Sequence, residues 1–300
     1  MGWKFRPGCS HSAACPETAH SVAARSDWHL TDCVSITVKN VCTRLIALLA
    51  CAGIFLVGPE LAGAADITPA QAINKAGRQR MLTQRIIKAY MQVGQAITPQ
   101  VSKRQLDDAV LLFEAQLGEQ RTIAPDERSR RAVARLDKLW RPFKAVATAS
   151  ADRSGAERLL AMDEELVTAA HELTLELQNS SASPTGRLVN IAGRQRMLSQ
   201  RLAKYYLLRA WGMESASVSK EIGSARTEFD GALAALRSAP ENTAQINKEL
   251  DAVAVQWEWF QNALGLEGAA SYALIVVNAS EAILNSMELV TGMYERLPAR

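Results

Sequence analysis

Cysteine and histidine are almost missing from most of this 300-residue sequence. All five cysteines lie within the first 51 residues, and His171 is the only histidine beyond residue 29. The rest of the chain therefore lacks a disulfide framework, a thiolate metal site, a cysteine nucleophile and a histidine-based triad. The adjacent carboxylates Glu164 and Glu165 fall on an ordinary polar helix face. We expect no enzyme, no metal site and no cofactor.

Aromatic residues make up only 6% of the chain, and the net charge of +3 is close to neutral. A nearly neutral chain gives no argument for a nucleic-acid partner. Residues that favour helix, such as alanine, leucine, glutamate and arginine, are plentiful instead. No segment alternates convincingly with the period of two that predicts a strand, so we predict an all-α fold.

An uncharged apolar run occupies residues 45–57. Lys39 and Arg44 precede it, and the small residues 62–64 (AGA) follow it. This order is typical of a secretory signal peptide with its cleavage site. Thirteen apolar residues are also fewer than the roughly 20 that a membrane-spanning helix needs. We therefore expect a periplasmic protein that is exported by a cleaved signal peptide.

The alternative is an uncleaved N-terminal membrane anchor, because Gly58–Ala65 lengthens the apolar span. The segment before residue 38 is long and mixed in composition, which is unusual for a signal peptide. We interpret it as a spurious extension from an upstream start, with the real start nearer Val38 or Val41. Residues 1–64 are therefore set apart from the fold prediction.

One long stretch occurs twice in the remaining chain. Residues 73–90 read INKAGRQRMLTQRIIKAY, and residues 189–206 read VNIAGRQRMLSQRLAKYY, at a constant offset of 116. The repeat extends further, because 113–117 matches 229–233 and 171–173 matches 287–289 at the same offset. A repeat of this length is a duplicated domain and not a short solenoid unit.

Each copy of the repeat has the apolar spacing of four helices. Thr68, Pro69 and Gln71 predict the start of the first helix, with a capping box and proline at the first helical position. Short connections between such helices predict antiparallel bundles. We therefore predict two tandem antiparallel four-helix bundles, over residues 65–181 and 182–300.

Some single residues carry further expectations. Pro142 falls inside the third helix and predicts a kink or an end there, and Gly155 marks the next break. Trp140, Trp257 and Trp259 are interpreted as core or seam residues. His171 is matched by methionine in the other copy, which favours a packing position over a catalytic one.

The repeated stretch has basic residues but no acidic ones. No aspartate or glutamate lies between Asp66 and Asp107, or between Glu176 and Glu214. A surface helix normally mixes the two signs of charge to gain pairs one turn apart. Two long acid-free basic helices in a nearly neutral protein therefore suggest an anionic partner near them.

The positions of glycine and arginine in the repeat sharpen this suggestion. Gly77 and Arg80 share one helix stripe, and Gly193 and Arg196 share the equivalent stripe. A helical glycine costs about 1 kcal/mol relative to alanine, but it allows close approach. If the two helices face each other, Arg80 and Arg196 converge, and their guanidinium groups repel unless an anion lies between them. The alternative is purely structural, with the arginines paired to acidic residues on neighbouring helices.

The pattern I/V-N-x-A-G-R-Q-R-M-L-S/T-Q-R resembles the signature helix of the PilJ-like family. That family is the N-terminal periplasmic sensory domain of type IV pilus methyl-accepting chemotaxis transducers, and it is related to the sensor domains of nitrate/nitrite histidine kinases. The resemblance covers roughly residues 67–180 and 183–297. It implies a four-helix bundle whose ligand lies between two copies of the signature helix across a dimer interface.

Carried over to this chain, the resemblance implicates Gly77, Arg80, Gly193 and Arg196 as ligand-binding residues. Weaker candidates at the end of the repeated stretch are Arg85 and Arg201. Because both copies lie in one chain, the family's dimer could form internally as a pseudo-dimer, with a homo-dimer as the other arrangement. Extra charge flanks the site at Arg78 and Arg194, and it leaves the ligand's identity open.

We expect a periplasmic sensory module for a small oxyanion, with nitrate or nitrite as the candidates. The printed sequence carries no output domain after the second bundle, so we expect a membrane-bound sensor or transporter as partner. The alternative is a periplasmic scaffold or interaction protein that uses the two signature helices for bundle docking, without a small ligand.

Overall fold

The computed structural model describes residues 67–181, 184–266 and 270–298, and these ranges contain helices and turns but no strand. The eight helices of these ranges are α1 (Pro69–Gly94), α2 (Pro99–Ile123), α3 (Glu127–Ala147), α4 (Arg153–Ser181), α5 (Pro184–Ala210), α6 (Ala216–Arg237), α7 (Ala244–Gly265) and α8 (Ala270–Glu295). Helices α1–α4 form one four-helix bundle and α5–α8 form a second, as the sequence predicts. The predicted signal peptide in residues 1–64 lies outside the described residues.

Side-chain caps fix where several helices begin. The backbone N–H of Gln71 donates to Thr68 Oγ1 at 3.2 Å, and the Thr68 N–H donates to Gln71 Oε1 at 2.9 Å. This reciprocal pair satisfies two N–H groups that the first turn of α1 leaves without helical partners, and it confirms the predicted capping box. Asp126 caps α3 through the N–H of Ser129 at 2.8 Å.

A stacked aromatic pair forms the same part of the core in both bundles. The rings of Phe113 and Trp140 lie 3.9 Å apart between centroids, and those of Phe229 and Trp257 also lie 3.9 Å apart. Both tryptophans are buried, as the sequence predicts. Each stack joins the second helix of its bundle to the third, so the duplication preserves side-chain packing as well as helix order.

Two sequence-based predictions were wrong, and a third was wrong in part. Helix α3 does not end at Pro142 but continues through it to Ala147, since this proline is exposed and a carbonyl freed on that side can bond to water. Gly155 lies inside the first turn of α4, and a Cβ there would stand 1.8 Å from Tyr90 Oη, so the glycine serves a close approach. Trp259 is 72% exposed because it lies off the stripe that buries Trp257.

The two helices that contain the repeated stretch, α1 and α5, pack on each other along their length. Near their C-terminal ends, the Gln95 side chain donates to the Leu207 carbonyl at 3.2 Å, and Gly94 abuts the ring of Trp211. Farther toward the N-terminal end of α1, Asn74 accepts a hydrogen bond from Arg196 in the middle of α5. Helices α1 and α5 therefore run parallel and in register, with α4 packed on α1 and α8 packed on α5.

This arrangement buries polar side chains that a surface helix would expose to water. The wholly buried polar residues of α1 and α5 with relative exposures of 0% are Gln79, Arg80, Thr83, Gln84, Lys88, Gln195, Arg196, Ser199, Gln200 and Lys204. A buried polar group needs a partner, since an unpaired one costs about 1–3 kcal/mol. The partners therefore determine how the two bundles are joined.

Several of these partners come from the fourth helix of the other repeat. Lys204 of α5 pairs with Asp163 of α4, whose second carboxylate oxygen accepts from Gln84 of α1 at 2.5 Å. In the same way, Lys88 of α1 pairs with Glu281 of α8. Burial lowers the pKa of both lysines, to about 8 for Lys88, while the facing carboxylates oppose that effect. Ion pairs thus tie each repeat to the other.

Helix α8 is the one helix of the described residues that is long and apolar enough to cross a membrane, over Tyr272–Glu295. Its apolar residues have another use in this fold. Ala273, Val276, Ile283, Met287 and Val290 are buried in the second bundle, where α8 packs against α5 and α7. Length and composition alone therefore do not assign this helix to a membrane.

We predict that Asp163→Ala lowers the free energy of unfolding by about 3–5 kcal/mol, because it leaves the buried Lys204 without its carboxylate. Urea denaturation followed by circular dichroism measures the change. The control is Asp251→Ala, which removes an exposed pair with Arg237 and should cost at most about 1 kcal/mol. Equal costs for the two variants would contradict the prediction.

Candidate functional site

Gly193 of α5 lies at the contact between α5 and α1, and Gly77 of α1 lies beside Arg80 of its own helix. A Cβ on Gly193 would lie 3.0 Å from Arg196 Nη2 and 3.6 Å from Arg80 Nη2. A Cβ on Gly77 would lie 3.0 Å from Arg80 Nη2. The missing side chains therefore make room for guanidinium groups, and the structure brings Arg80 and Arg196 together beside Gly193.

Arg80 is wholly buried and has only neutral partners among the described residues. Its Nη1 lies 3.0 Å from His171 Nδ1, and its Nη2 donates to the carbonyl of Asn190 at 3.3 Å. Its Nε makes a long contact of 3.4 Å with the carbonyl of Gly77. No carboxylate of the described ranges lies within ion-pair distance of this guanidinium group.

Arg196 is also wholly buried, but its partners differ. Its Nη1 donates to the carboxylate of Glu288 on α8, and its Nη2 donates to Asn74 Oδ1 at 2.7 Å. Its Nε has no partner in the described part of the chain. The two arginines are equivalent in the repeat, yet Arg196 has a counter-ion and Arg80 does not.

Burial makes positive charge unfavourable throughout this cluster. It lowers the pKa of Arg80 to about 9, with a smaller contribution from Arg194. It lowers the pKa of Arg196 well below its usual value, and the neighbouring Arg78 and Arg80 add to that effect. Burial and then Arg80 lower the pKa of His171 to about 4. The site is therefore electropositive, and a negative charge placed in it would be stabilised.

The next turn of the stripe adds two buried amides. Gln84 donates to Asp163, and Gln200 donates to the carbonyl of Ser280 at 3.1 Å. The Oε1 atoms of both glutamines have no partner among the described residues. These amides separate the arginine pair from the layer of lysine ion pairs farther along α1 and α5.

Arg85 and Arg201, the two weaker candidates for ligand binding, form ion pairs away from Arg80 and Arg196. Arg85 donates to Glu281 of α8 at 2.7 Å, and Arg201 pairs with Glu164 of α4 at 2.8 Å. Both side chains are partly exposed, whereas Arg80 and Arg196 are not. Of the six predicted site residues, the close contacts thus bring together Gly77, Arg80, Gly193 and Arg196.

Four residues of the cluster were missed at the sequence level. Asn74 and Asn190 belong to the repeated stretch, so their shared position was a usable signal. His171 contacts Arg80 and is therefore more than the packing residue it was taken for. Glu288 also shares its position with Glu172, but the repeat gave no sign of its role, because Glu172 pairs with Arg135 instead. Among the described residues, no group of histidine, cysteine, aspartate and glutamate has a metal-binding arrangement.

The fold and the arginine cluster define a tandem helical module, in which two four-helix bundles share one interface. The two parallel helices that contain the repeated stretch form this interface, and their buried arginines converge there. The family model for the type IV pili methyl-accepting chemotaxis transducer N-terminal domain, PilJ, matches residues 68–164 and 177–286. The chain belongs to this family, whose role is sensory and not catalytic, and it has two copies of the domain. The comparison with curated proteins gives no significant match, and neither does the comparison with solved structures.

We predict that Gly193→Ala destabilises the protein by about 1–3 kcal/mol, because the added methyl group crowds the buried guanidinium group of Arg196 at the α1–α5 contact. The matched control is Gly231→Ala on α6, where no described atom lies within 4 Å of the added Cβ. That variant should gain up to about 1 kcal/mol from helix propensity. Urea denaturation compares the two, and a Gly193→Ala protein as stable as the control would refute the close approach.

The low pKa of His171 predicts a pH-dependent stability. Its pKa falls from 6.5 to about 4 on folding, so the unfolded chain binds the proton first. The contribution of neutral His171 is present above about pH 6.5 and is lost as the pH falls through about 4. His171→Asn keeps an acceptor near Nδ1 but does not titrate, so its unfolding free energy should fall less steeply over this range. Parallel slopes for variant and wild type would contradict the prediction.

Proposed function

We propose that this chain is a sensory module that binds one small oxyanion between α1 and α5, at Arg80 and Arg196. The observation that carries the proposal is the wholly buried Arg80, which has no carboxylate partner in the described ranges and lies beside a second buried arginine. Because like charges repel, a negative charge placed between the two guanidinium groups would lower the cost of burying them. An oxyanion between them would supply that charge.

The chemistry of the cluster favours a small planar anion. A guanidinium group presents donors in a planar fork that fits a planar oxyanion or a carboxylate. Both guanidinium groups have relative exposures of 0%, so a bulky ligand would require the helices to separate. Nitrate and nitrite fit this description, and they are also the ligands that the family resemblance implies.

The tandem repeat supplies both halves of the proposed site from one chain. Asn74 of α1 contacts Arg196 of α5, and Asn190 of α5 contacts Arg80 of α1. These reciprocal contacts support an internal pseudo-dimer in place of the dimer of separate chains. We further propose that the module acts in the periplasm after export by a cleaved signal peptide, and that a membrane-bound sensor or transporter reads its state.

The cross-repeat ion pairs favour a second candidate function. Lys88 and Lys204 each join one repeat to the other from a buried position. A scaffold protein would need such ion pairs between its repeats but would not need a ligand. In that case, no small oxyanion would change the protein's thermal stability, and removal of these ion pairs would abolish a protein assembly instead.

We predict that nitrate or nitrite raises the thermal stability of residues 66–300. A ligand at 100 times its Kd adds about 2.7 kcal/mol, which corresponds to roughly 5 °C or more in Tm for a chain of this size. Arg80→Ala combined with Arg196→Ala should abolish the shift, because both guanidinium donors are lost. Differential scanning fluorimetry at constant ionic strength measures it.

The matched control is Arg85→Ala combined with Arg201→Ala, which removes two arginines of the same repeated stretch that pair with Glu281 and Glu164. This protein is expected to melt lower but to keep the shift on adding nitrate. If the Arg80/Arg196 variant kept its shift, the site assignment would be wrong. If no oxyanion shifted the wild-type protein, the scaffold function would be favoured.

A further inference from the structure

Glu288 of α8 is the one acidic side chain of the described residues that forms an ion pair with either arginine of the pair. One of its carboxylate oxygens accepts from Arg196, and the other accepts from Arg78 of α1. The carboxylate thus bridges a cation from each repeat. Its side chain is 38% exposed, while Arg196 is wholly buried. Glu288 therefore reaches the site from the edge and has a path back to water.

The first repeat has no equivalent of this contact. The equivalent residue, Glu172, points instead to Arg135 of α3, in a pair whose side chains are both 43% exposed. The neutral side chain of His171 lies next to Arg80, and the residue equivalent to His171 in the second repeat is Met287. One arginine of the pair therefore has a carboxylate bound to it, and the other does not.

A glutamate carboxylate is chemically a tethered planar oxyanion. It has the same charge and the same type of acceptor atoms as the small anions proposed above. Its contact with Arg196 shows that one arginine of the pair accepts such a group. A free oxyanion that binds both guanidinium groups would compete with it for the same donors.

We propose that Glu288 is an internal competitor, which holds Arg196 until a free oxyanion replaces it and thereby sets the affinity of the site. This inference rests on the proposed function. Replacement breaks the bond from Glu288 to Arg196 and releases a carboxylate that also joins α8 to α1 through Arg78. Anion binding is thus coupled to the contact between α8 and α1 of the first repeat.

The test is isothermal titration of nitrate and nitrite, as sodium salts at constant ionic strength set with chloride, into wild-type protein and Glu288→Gln. Removing the competing charge should lower the Kd of the bound anion by about tenfold or more, since charge-assisted hydrogen bonds to arginine are among the strong ones. The matched control is Glu172→Gln, the equivalent residue outside the site, which should leave the Kd unchanged. A Glu288→Gln protein that binds no more tightly than wild type would overturn the inference.

A second variant covers the case in which Glu288→Gln folds poorly. Glu288→Ala leaves room for a free carboxylate, so sodium formate should raise its Tm more than an equal concentration of sodium chloride. The same comparison on wild type should give a smaller difference, because Glu288 occupies the position. Equal effects of formate on the two proteins would count against internal competition.

The outcomes separate this inference from the proposed function. If neither wild type nor Glu288→Gln binds any of the anions, the oxyanion site itself is refuted and the inference falls with it. If wild type binds nitrate through Arg80 and Arg196 but Glu288→Gln binds it equally well, only the competitor role is refuted. Binding by Glu288→Gln alone would support the competitor role of Glu288 but would count against an oxyanion-sensing function of the wild-type protein.

Discussion

Two positive charges buried at one helix interface are the constraint on which this structure depends. Arg80 and Arg196 meet beside Gly193, where the missing side chain leaves room for their guanidinium groups, and no solvent reaches them. Such charges are unfavourable unless hydrogen bonds and counter-ions compensate them. The surrounding contacts do so unequally: His171 and backbone carbonyls serve one arginine, and Glu288 serves the other. The remaining polar residues of α1 and α5 are arranged around this pair, with amides one turn away and ion pairs beyond them.

Duplication explains both the similarity and the difference of the two halves. The aromatic stacks inside each bundle and the glycine–arginine contacts of the signature helices are preserved in both copies. The fourth helices differ, because Asp163 of α4 corresponds to Ala279 of α8, and His171 corresponds to Met287. A dimer of identical chains must repeat each of its contacts. Two copies within one chain are not constrained by this symmetry, so the contact residues of one copy can change while those of the other stay the same.

Local patterns in the sequence were sufficient for the helices and the bundles. The capping box at Thr68, the apolar stripes and the 116-residue offset each depend on neighbouring residues or on direct comparison of the two copies. The centre of the site was also predictable, because glycine and arginine share a stripe in both copies. The identity of the counter-ions was not, since the side chains of Glu288 and Glu172 take different directions that only tertiary packing decides. Pro142 was misread for a related reason: whether it interrupts α3 depends on the exposure of that face.

The position of α1 and α5 on a single chain also changes how their interface responds to dilution. Separate sensory domains that bind ligand across a dimer interface must first find each other, so their response depends on protein concentration. In this chain the two surfaces are held together by covalent connection through the first bundle, which makes their encounter intramolecular. The interface between α1 and α5 therefore forms at the same strength in a cell that makes ten copies as in one that makes thousands.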